Sequence, residues 1–241
     1  MRLFCLLIAA VLFCGAPSFA SEKPPAVPPE LLEQAREAKE QFSRGNYLAA
    51  EKTYREMLRT APNNVYLLSN LGVVLFRRNK LREAEDVLEQ ATVAAPGDSF
   101  SHCTLGTVYY TQGKYDEAIK ALGAALAIDP KNHTAHNYLG ITASQKGSPE
   151  KAVEELKAAV ALDSNYTDAI FNLAVVLAMM NPPAKENARR YSERAIELGA
   201  KPDSALEKII GWKADAKLRG IGDFLTPLEK ERLQLLPAER K

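Results

Sequence analysis

The chain has 241 residues, 46% hydrophobic, 25% charged and 7% aromatic. That composition excludes a wholly disordered chain, a collagen-like one and a multi-span membrane protein. Lys and Arg number 31 against 30 Asp and Glu, so no global charge draws the protein to anionic lipid or nucleic acid, and no nucleic-acid partner is expected.

Residues 1–20 read as a secretory signal. Arg2 supplies the positive start, an apolar run from Leu3 to Ala16 follows, and Ser18-Phe19-Ala20 offers small residues for cleavage. The run falls short of the roughly 20 apolar residues that span a bilayer. Cleavage after Ala20 is therefore expected, with export to a periplasm or to the outside and no stable membrane insertion afterwards. Lipid anchoring at Cys14 is the rival reading, and the bulky Phe13 before the cysteine argues against it; an uncleaved anchor is a weaker one. Cys5 and Cys14 leave with the signal, so Cys103 is alone and forms no internal disulfide. Residues 21–30 hold Pro24-Pro25 and Pro28-Pro29, a stiff polyproline II spacer, with recognition by a proline-reading domain as the minor alternative.

The body of the chain repeats itself. Leu71-Gly72, Leu105-Gly106 and Leu139-Gly140 follow one another at intervals of 34. Ala84, Ala118 and Ala152 lie twelve residues after each glycine, and Ala91, Ala125 and Ala159 seven later. Pro62, Pro96 and Pro130 close successive units, while Gly45, Gly113 and Gly147, with Asn79 in the second unit, mark a turn inside each. Small residues such as Gly72 and Ala84 let two helices approach closely where they cross. Proline cannot continue a helix interior, and one helix pair cannot bury its apolar face alone, so neighbours must stack.

This pattern resembles the tetratricopeptide repeat. The resemblance covers residues 31–200 and implies an all-α fold: a right-handed superhelical solenoid of antiparallel helix pairs, about five repeats, with C-terminal capping helices. The units are drawn at 31–64, 65–98, 99–132, 133–166 and 167–200. The first departs from the pattern with Glu37-Ala38 for Leu-Gly, as a polar N-terminal cap would. The fourth has Ser164 for the closing proline. The fifth carries Ala174 for glycine and Asn181-Pro182-Pro183 in its turn, and Ala188 and Ala195 fit only after a two-residue insertion.

Residues 201–241 are expected to cap the array. Ser204-Ala205-Leu206-Glu207 has the form of a capping box, and Leu206, Ile209, Ile210, Ala214 and Leu218 share one helical side until Gly220 and Gly222 stop it. Thr226-Pro227-Leu228-Glu229 starts a second helix, whose Leu228, Leu233, Leu235 and Leu236 would cover the last repeat face, or would dock on another chain.

Signs of catalysis are lacking in this sequence, and no metal or cofactor is expected. His102 and His136 share one repeat position, which the resemblance assigns to a packing side chain. The acidic pairs, such as Asp116-Glu117, sit on polar helical faces, and Cys103 has no base beside it. No phosphate-binding glycine loop or nucleophile elbow is found. The resemblance instead implies a concave groove lined by the first helix of each unit, at the second, fifth, sixth, ninth, twelfth and thirteenth positions. These place Tyr66, Asn70, Phe76 and Arg77 in the groove from the second unit, Phe100 and Tyr110 from the third, Asn137 and Tyr138 from the fourth, and Phe171 and Asn172 from the fifth. Arg36, Lys39 and Phe42 join from the first and Asp168 from the fifth; with so little charge, the groove is expected to prefer an apolar or neutral segment. The asparagines suit an extended peptide backbone and the rings suit apolar anchors; packing between neighbouring helices is the competing use for each.

The ninth position is Lys39, Val73, Thr107, Ile141 or Val175 and never asparagine, so the family's carboxylate clamp for chaperone tails is absent. The function expected is a non-enzymatic scaffold that binds a protein or peptide segment in an exported solenoid, in the setting of cell-envelope assembly or secretion. The alternative is a structural subunit that forms homo-oligomers or docks through its C-terminal leucines.

Overall fold

The computed structural model describes residues 27–213. A short 3-10 turn at Pro29–Leu31 leads into α1 (Leu32–Ser43) and α2 (Tyr47–Thr60), then α3 (Val65–Arg77) and α4 (Leu81–Ala94). These are followed by α5 (Ser99–Thr111) and α6 (Tyr115–Ile128), α7 (His133–Gln145) and α8 (Pro149–Leu162), α9 (Thr167–Met179) and α10 (Lys185–Glu197), and finally α11 (Ser204–Ile210). Among the described residues there is no strand, and no helix is long and apolar enough to cross a membrane.

The helix starts obey the period read from the sequence. First helices begin at Val65, Ser99, His133 and Thr167, and second helices at Tyr47, Leu81, Tyr115 and Pro149, each 34 residues after the last. The tenth helix starts two residues late, at Lys185, after the longer turn that holds a cis Asn181–Pro182 bond. Each helix packs on its predecessor, and α3, α5, α7 and α9 also touch one another in sequence. The pairs thus stack into a helical solenoid with the first helices along one wall.

Helix crossing is governed by the glycines. A Cβ built on Gly72 would lie 2.5 Å from Leu88 Cγ, one on Gly106 2.6 Å from Leu122 Cγ, and one on Gly140 2.7 Å from Leu156 Cγ. The partner in the tight crossing is therefore the second-helix leucine one turn beyond Ala84, Ala118 and Ala152, not the alanine itself. All three alanines are fully buried at the same interface. In the first and fifth units the glycine gives way to Ala38 and Ala174, and the leucine slot is filled by Tyr54 and Ser192, all buried.

Inside each unit the turn needs a left-handed residue. Gly45, Asn79, Gly113 and Gly147 have φ of 77°, 58°, 76° and 75°. At Gly113 a Cβ would meet nothing within 4 Å, so the demand is conformational rather than spatial. The Lys114 N–H then returns to the Tyr109 carbonyl at 2.9 Å and Gly113 N–H to Tyr110 at 3.0 Å, which closes the end of α5 as a Schellman motif. At the other end, Asn64, Asp98 and Asn132 accept from the backbone of Leu67, Ser101 and Ala135, capping α3, α5 and α7.

Ion pairs stitch consecutive units at the same period. Lys80 Nζ lies 3.1 Å from Glu51, and Lys114 Nζ 2.7 Å from Glu85, 34 residues on. The next slot holds Ile119 and Ser148, and there Lys146 reaches Asp116 at 2.5 Å instead. Glu51 is the buried member of the series and also receives Arg55 and Arg78. Burial alone would raise its carboxyl, but hydrogen bonds from Arg55, Arg78 and Lys80 outweigh that and hold it at about 2.

The C-terminal expectation needs correction. Asp203, not Ser204, caps α11, its side chain accepting from Leu206 N at 2.8 Å. The helix stops at Gly211 (φ 72°) rather than at Gly220 or Gly222. Leu206 and Ile210 are buried while Ile209 is exposed. The signal at 1–20, residues 21–26, Ala214, Leu218 and the second capping helix from Thr226 lie outside the described residues.

The tight crossing and the buried carboxylate can each be tested. Gly72→Ala should gain about 1 kcal/mol of helix propensity but lose more to overpacking against Leu88, for a net destabilisation of about 1–2 kcal/mol. In a Leu88→Ala background the same change should cost nothing, a coupling that urea titration of the four proteins would reveal. Glu51→Gln should cost about 1.5–3 kcal/mol at pH 7. Because the folded carboxyl sits below its unfolded value of about 4.3, its stabilisation is complete above that value and is lost as the pH falls toward 2. The wild-type and variant stabilities should therefore converge over that window in thermal melts.

Candidate functional site

The inner wall is built from α3, α5, α7 and α9, and at its middle are tyrosines. The Tyr110 and Tyr138 rings meet edge to face with centroids 5.8 Å apart, and Tyr110 also contacts Tyr115 at 5.9 Å. Both Tyr110 and Tyr138 are half-buried. Burial pushes the phenol of Tyr138 up, Asp168 adds to that and Arg77 opposes it, so the cation and the carboxylate both bear on this ring. Tyr66 and Phe100 are 37% and 49% exposed near the starts of α3 and α5. Arg77 is exposed at the end of α3, while Phe76 beside it packs against the core of the first units. Phe171 is half-buried against the C-terminal core.

The fifth position of the first helices faces a neighbouring unit, not an open groove. Ser69 Oγ is 2.6 Å from Ser101 Oγ, linking α3 to α5. Cys103 Sγ reaches Asn132 Oδ1 at 3.8 Å, linking α5 to the cap of α7. Asn137, only 3% exposed, donates from Nδ2 to the Tyr166 hydroxyl at 3.4 Å and accepts from Asn172 Nδ2 at 3.0 Å. Both ends of the Asn137 amide are thus committed inside the fold, and it is corrected from a groove residue to a tie between α7 and α9. Asn172 keeps its carbonyl free of that bond. Asn70 is half-buried and donates to its own helix, at the Tyr66 carbonyl (2.7 Å).

Tyr166 is the residue that sequence reasoning missed. It stands where Asn64, Asp98 and Asn132 cap the earlier first helices, yet its side chain makes no cap bond. Instead it lies against the His133 ring at 5.0 Å, edge to face, and accepts from Asn137. The break in an Asn/Asp/Asn series was the available signal.

The other polar groups are held for structure. His102 Nε2 donates to the Pro96 carbonyl at 3.0 Å; in His136, Nε2 donates to the Pro130 carbonyl at 3.2 Å and Nδ1 lies 2.8 Å from a Glu155 oxygen. Each imidazole clips the turn between two units. Burial pushes the Cys103 thiol up to about 12 despite its bond to Asn132, so it stays protonated at neutral pH and is a poor nucleophile. Among the described residues no group of three or more His, Cys, Asp or Glu is placed to hold a metal ion.

Two family models match the body of the chain. Residues 103–178 match the tetratricopeptide repeat, and residues 43–125 match the model for anaphase-promoting complex, cyclosome, subunit 3. The stretch 103–178 is thus matched as tetratricopeptide repeat, and the helix pairs on either side keep its 34-residue period. No curated protein matches the sequence. Solved tetratricopeptide-repeat structures share the fold: PilF of Pseudomonas aeruginosa is 19% identical with a TM-score of 0.65, over 84% of this chain and 96% of that one. TTC0263 of Thermus thermophilus is 19% identical with a TM-score of 0.61, over 85% and 98%. YrrB, described as a tetratricopeptide-repeat protein with an unusual peptide-binding site, is 22% identical with a TM-score of 0.54, over 73% and 88%. At these identities the likeness is one of fold.

The two asparagine environments predict different outcomes. Asn137→Ala should lower stability by about 1–3 kcal/mol, because it strands the Asn172 amide and leaves the Tyr166 hydroxyl with Thr134 alone. Asn70→Ala should change it by less than about 0.5 kcal/mol. Thermal melts of the two variants would check this.

Proposed function

We propose that the protein is a non-enzymatic scaffold that binds a peptide or protein segment along its inner wall. The observation that carries the reading is the tyrosine pair Tyr110–Tyr138, flanked by the exposed rings of Tyr66 and Phe100 on neighbouring first helices. Half-buried aromatic side chains on a rigid wall make good anchors: they add contact area while losing little conformational freedom. Fold relatives in this repeat class include one whose description names a peptide-binding site, which supports the same use of the wall here.

The scaffold is, in this proposal, exported. The support is the signal-like stretch at 1–20, with its single Arg2, apolar run and Ala20 cleavage site. Cell-envelope assembly or secretion is then the setting in which an exported, cofactor-free repeat protein would hold a partner.

Both parts are open to one experiment in the native host. A photo-crosslinking p-benzoylphenylalanine placed at Thr111 or Gln145, exposed at the ends of α5 and α7, should capture a partner, whereas the same group at Val93 on α4 should not. Capture from Val93 alone would refute the inner-wall reading. Intact mass of the recovered protein should correspond to a chain that starts at Ser21.

A further inference from the structure

The lining positions are not evenly charged. Across five units they carry Arg36 and Lys39 in the first, Arg77 in the second and Asp168 in the fifth, while the third and fourth contribute none. Arg36 is already paired with Glu33 at 2.6 Å. Arg77 and Asp168 are both exposed, and neither makes an ion pair among the described residues. Between them lie only the rings and neutral groups of α5 and α7. The wall is therefore basic at its N-terminal end, acidic at its C-terminal end and uncharged in the middle, where the rings of Tyr110 and Tyr138 meet.

These residues lie on one diagonal. Arg77 is the last residue of α3, Tyr110 the next to last of α5, Tyr138 in the middle of α7 and Asp168 the second of α9, so each step to the next unit also climbs toward the helix starts. Packed helices lie about 8–10 Å apart and rise about 1.5 Å per residue, which makes the diagonal about 30 Å long. An extended chain advances about 3.3 Å per residue and covers that backbone distance with about nine residues, an upper limit because the Arg77 and Asp168 charges both reach toward Tyr138. The Tyr138 phenol feels both charges, Asp168 raising it and Arg77 lowering it, as expected if both flank the same strip. A concave wall also focuses such charges toward a bound segment.

We propose that the wall selects an extended segment bearing an acidic residue at the Arg77 end and a basic residue at the Asp168 end, no more than about nine residues apart, with an apolar side chain between them on Tyr110 and Tyr138. This rests on the inner-wall reading above and adds to it the chemistry and orientation of the partner. The separated charges set register and exclude segments of the opposite polarity, while the rings supply most of the affinity.

The test is a selection of random fifteen-residue peptides displayed against the full chain, with p-benzoylphenylalanine at Gln145 to report which peptides occupy the wall. Captured peptides should be enriched in an acid and a base no more than about nine residues apart around an apolar residue. Fluorescence polarisation with one such synthetic peptide should show binding about tenfold weaker in Arg77→Glu and in Asp168→Lys. The double variant should prefer a peptide whose two charges are exchanged, a gain that loss of folding cannot mimic. Peptides captured on the wall without charge bias, and bound equally by both single variants, would overturn this inference and leave the inner-wall reading standing. Failure to capture any peptide at Gln145, or crosslinks only to the chain's own residues or to a second copy, would overturn both.

Discussion

Every unit depends on one close approach. In the second, third and fourth units the glycine of the first helix meets the leucine of the second at a distance that leaves no room for a Cβ, and this contact sets how deeply the two helices sink into each other. That depth in turn fixes the angle at which the next pair can stack. The end units achieve it with different volumes, alanine against tyrosine in one and alanine against serine in the other. A small residue on one side is constant, while the partner adjusts to the unit's place in the array. A solenoid propagates such local geometry because each unit contacts only its neighbours.

Polar groups on the inner wall are divided between holding the array together and facing outward. Ser69, Cys103 and Asn137 occupy the same repeat position, and each reaches toward the next first helix: Ser69 to Ser101, Cys103 to the Asn132 cap of α7, and Asn137 to Asn172. Satisfying buried polar groups in this way lets the wall carry hydrogen-bonding side chains without the penalty of burying them unpaired. What remains open are rings, a few hydroxyls and amides, and charges at the two ends. This division explains why a wall rich in polar residues can still offer aromatic rings at an uncharged middle.

Much of the fold was legible in the chain. Glycine, alanine and proline at fixed intervals report backbone approach, helix crossing and turn, which are local demands that tolerate few side chains. Gly113 and Asn79 could be assigned to a left-handed turn for that reason, and His102 and His136 to structural places by their shared position. The wall residues were harder. Repeat position tells the direction of a side chain, but its burial depends on residues some 30 positions away. Asn137 carried the same signal as Asn172, yet only the packing of Tyr166 at the start of α9 shows that one is enclosed. The same applies to α11, where a Ser-x-x-Glu pattern and Asp203 competed for one cap and the backbone took the aspartate.

The amino-acid order thus determined the period, the number of helices per unit and the sites of the turns, because these follow from side-chain volume and backbone freedom at single positions. The tertiary structure decided which polar side chains are spent between units, which rings stay open, and where the remaining charges stand relative to them. Those properties come from the meeting of residues distant in sequence, and no single position carries them.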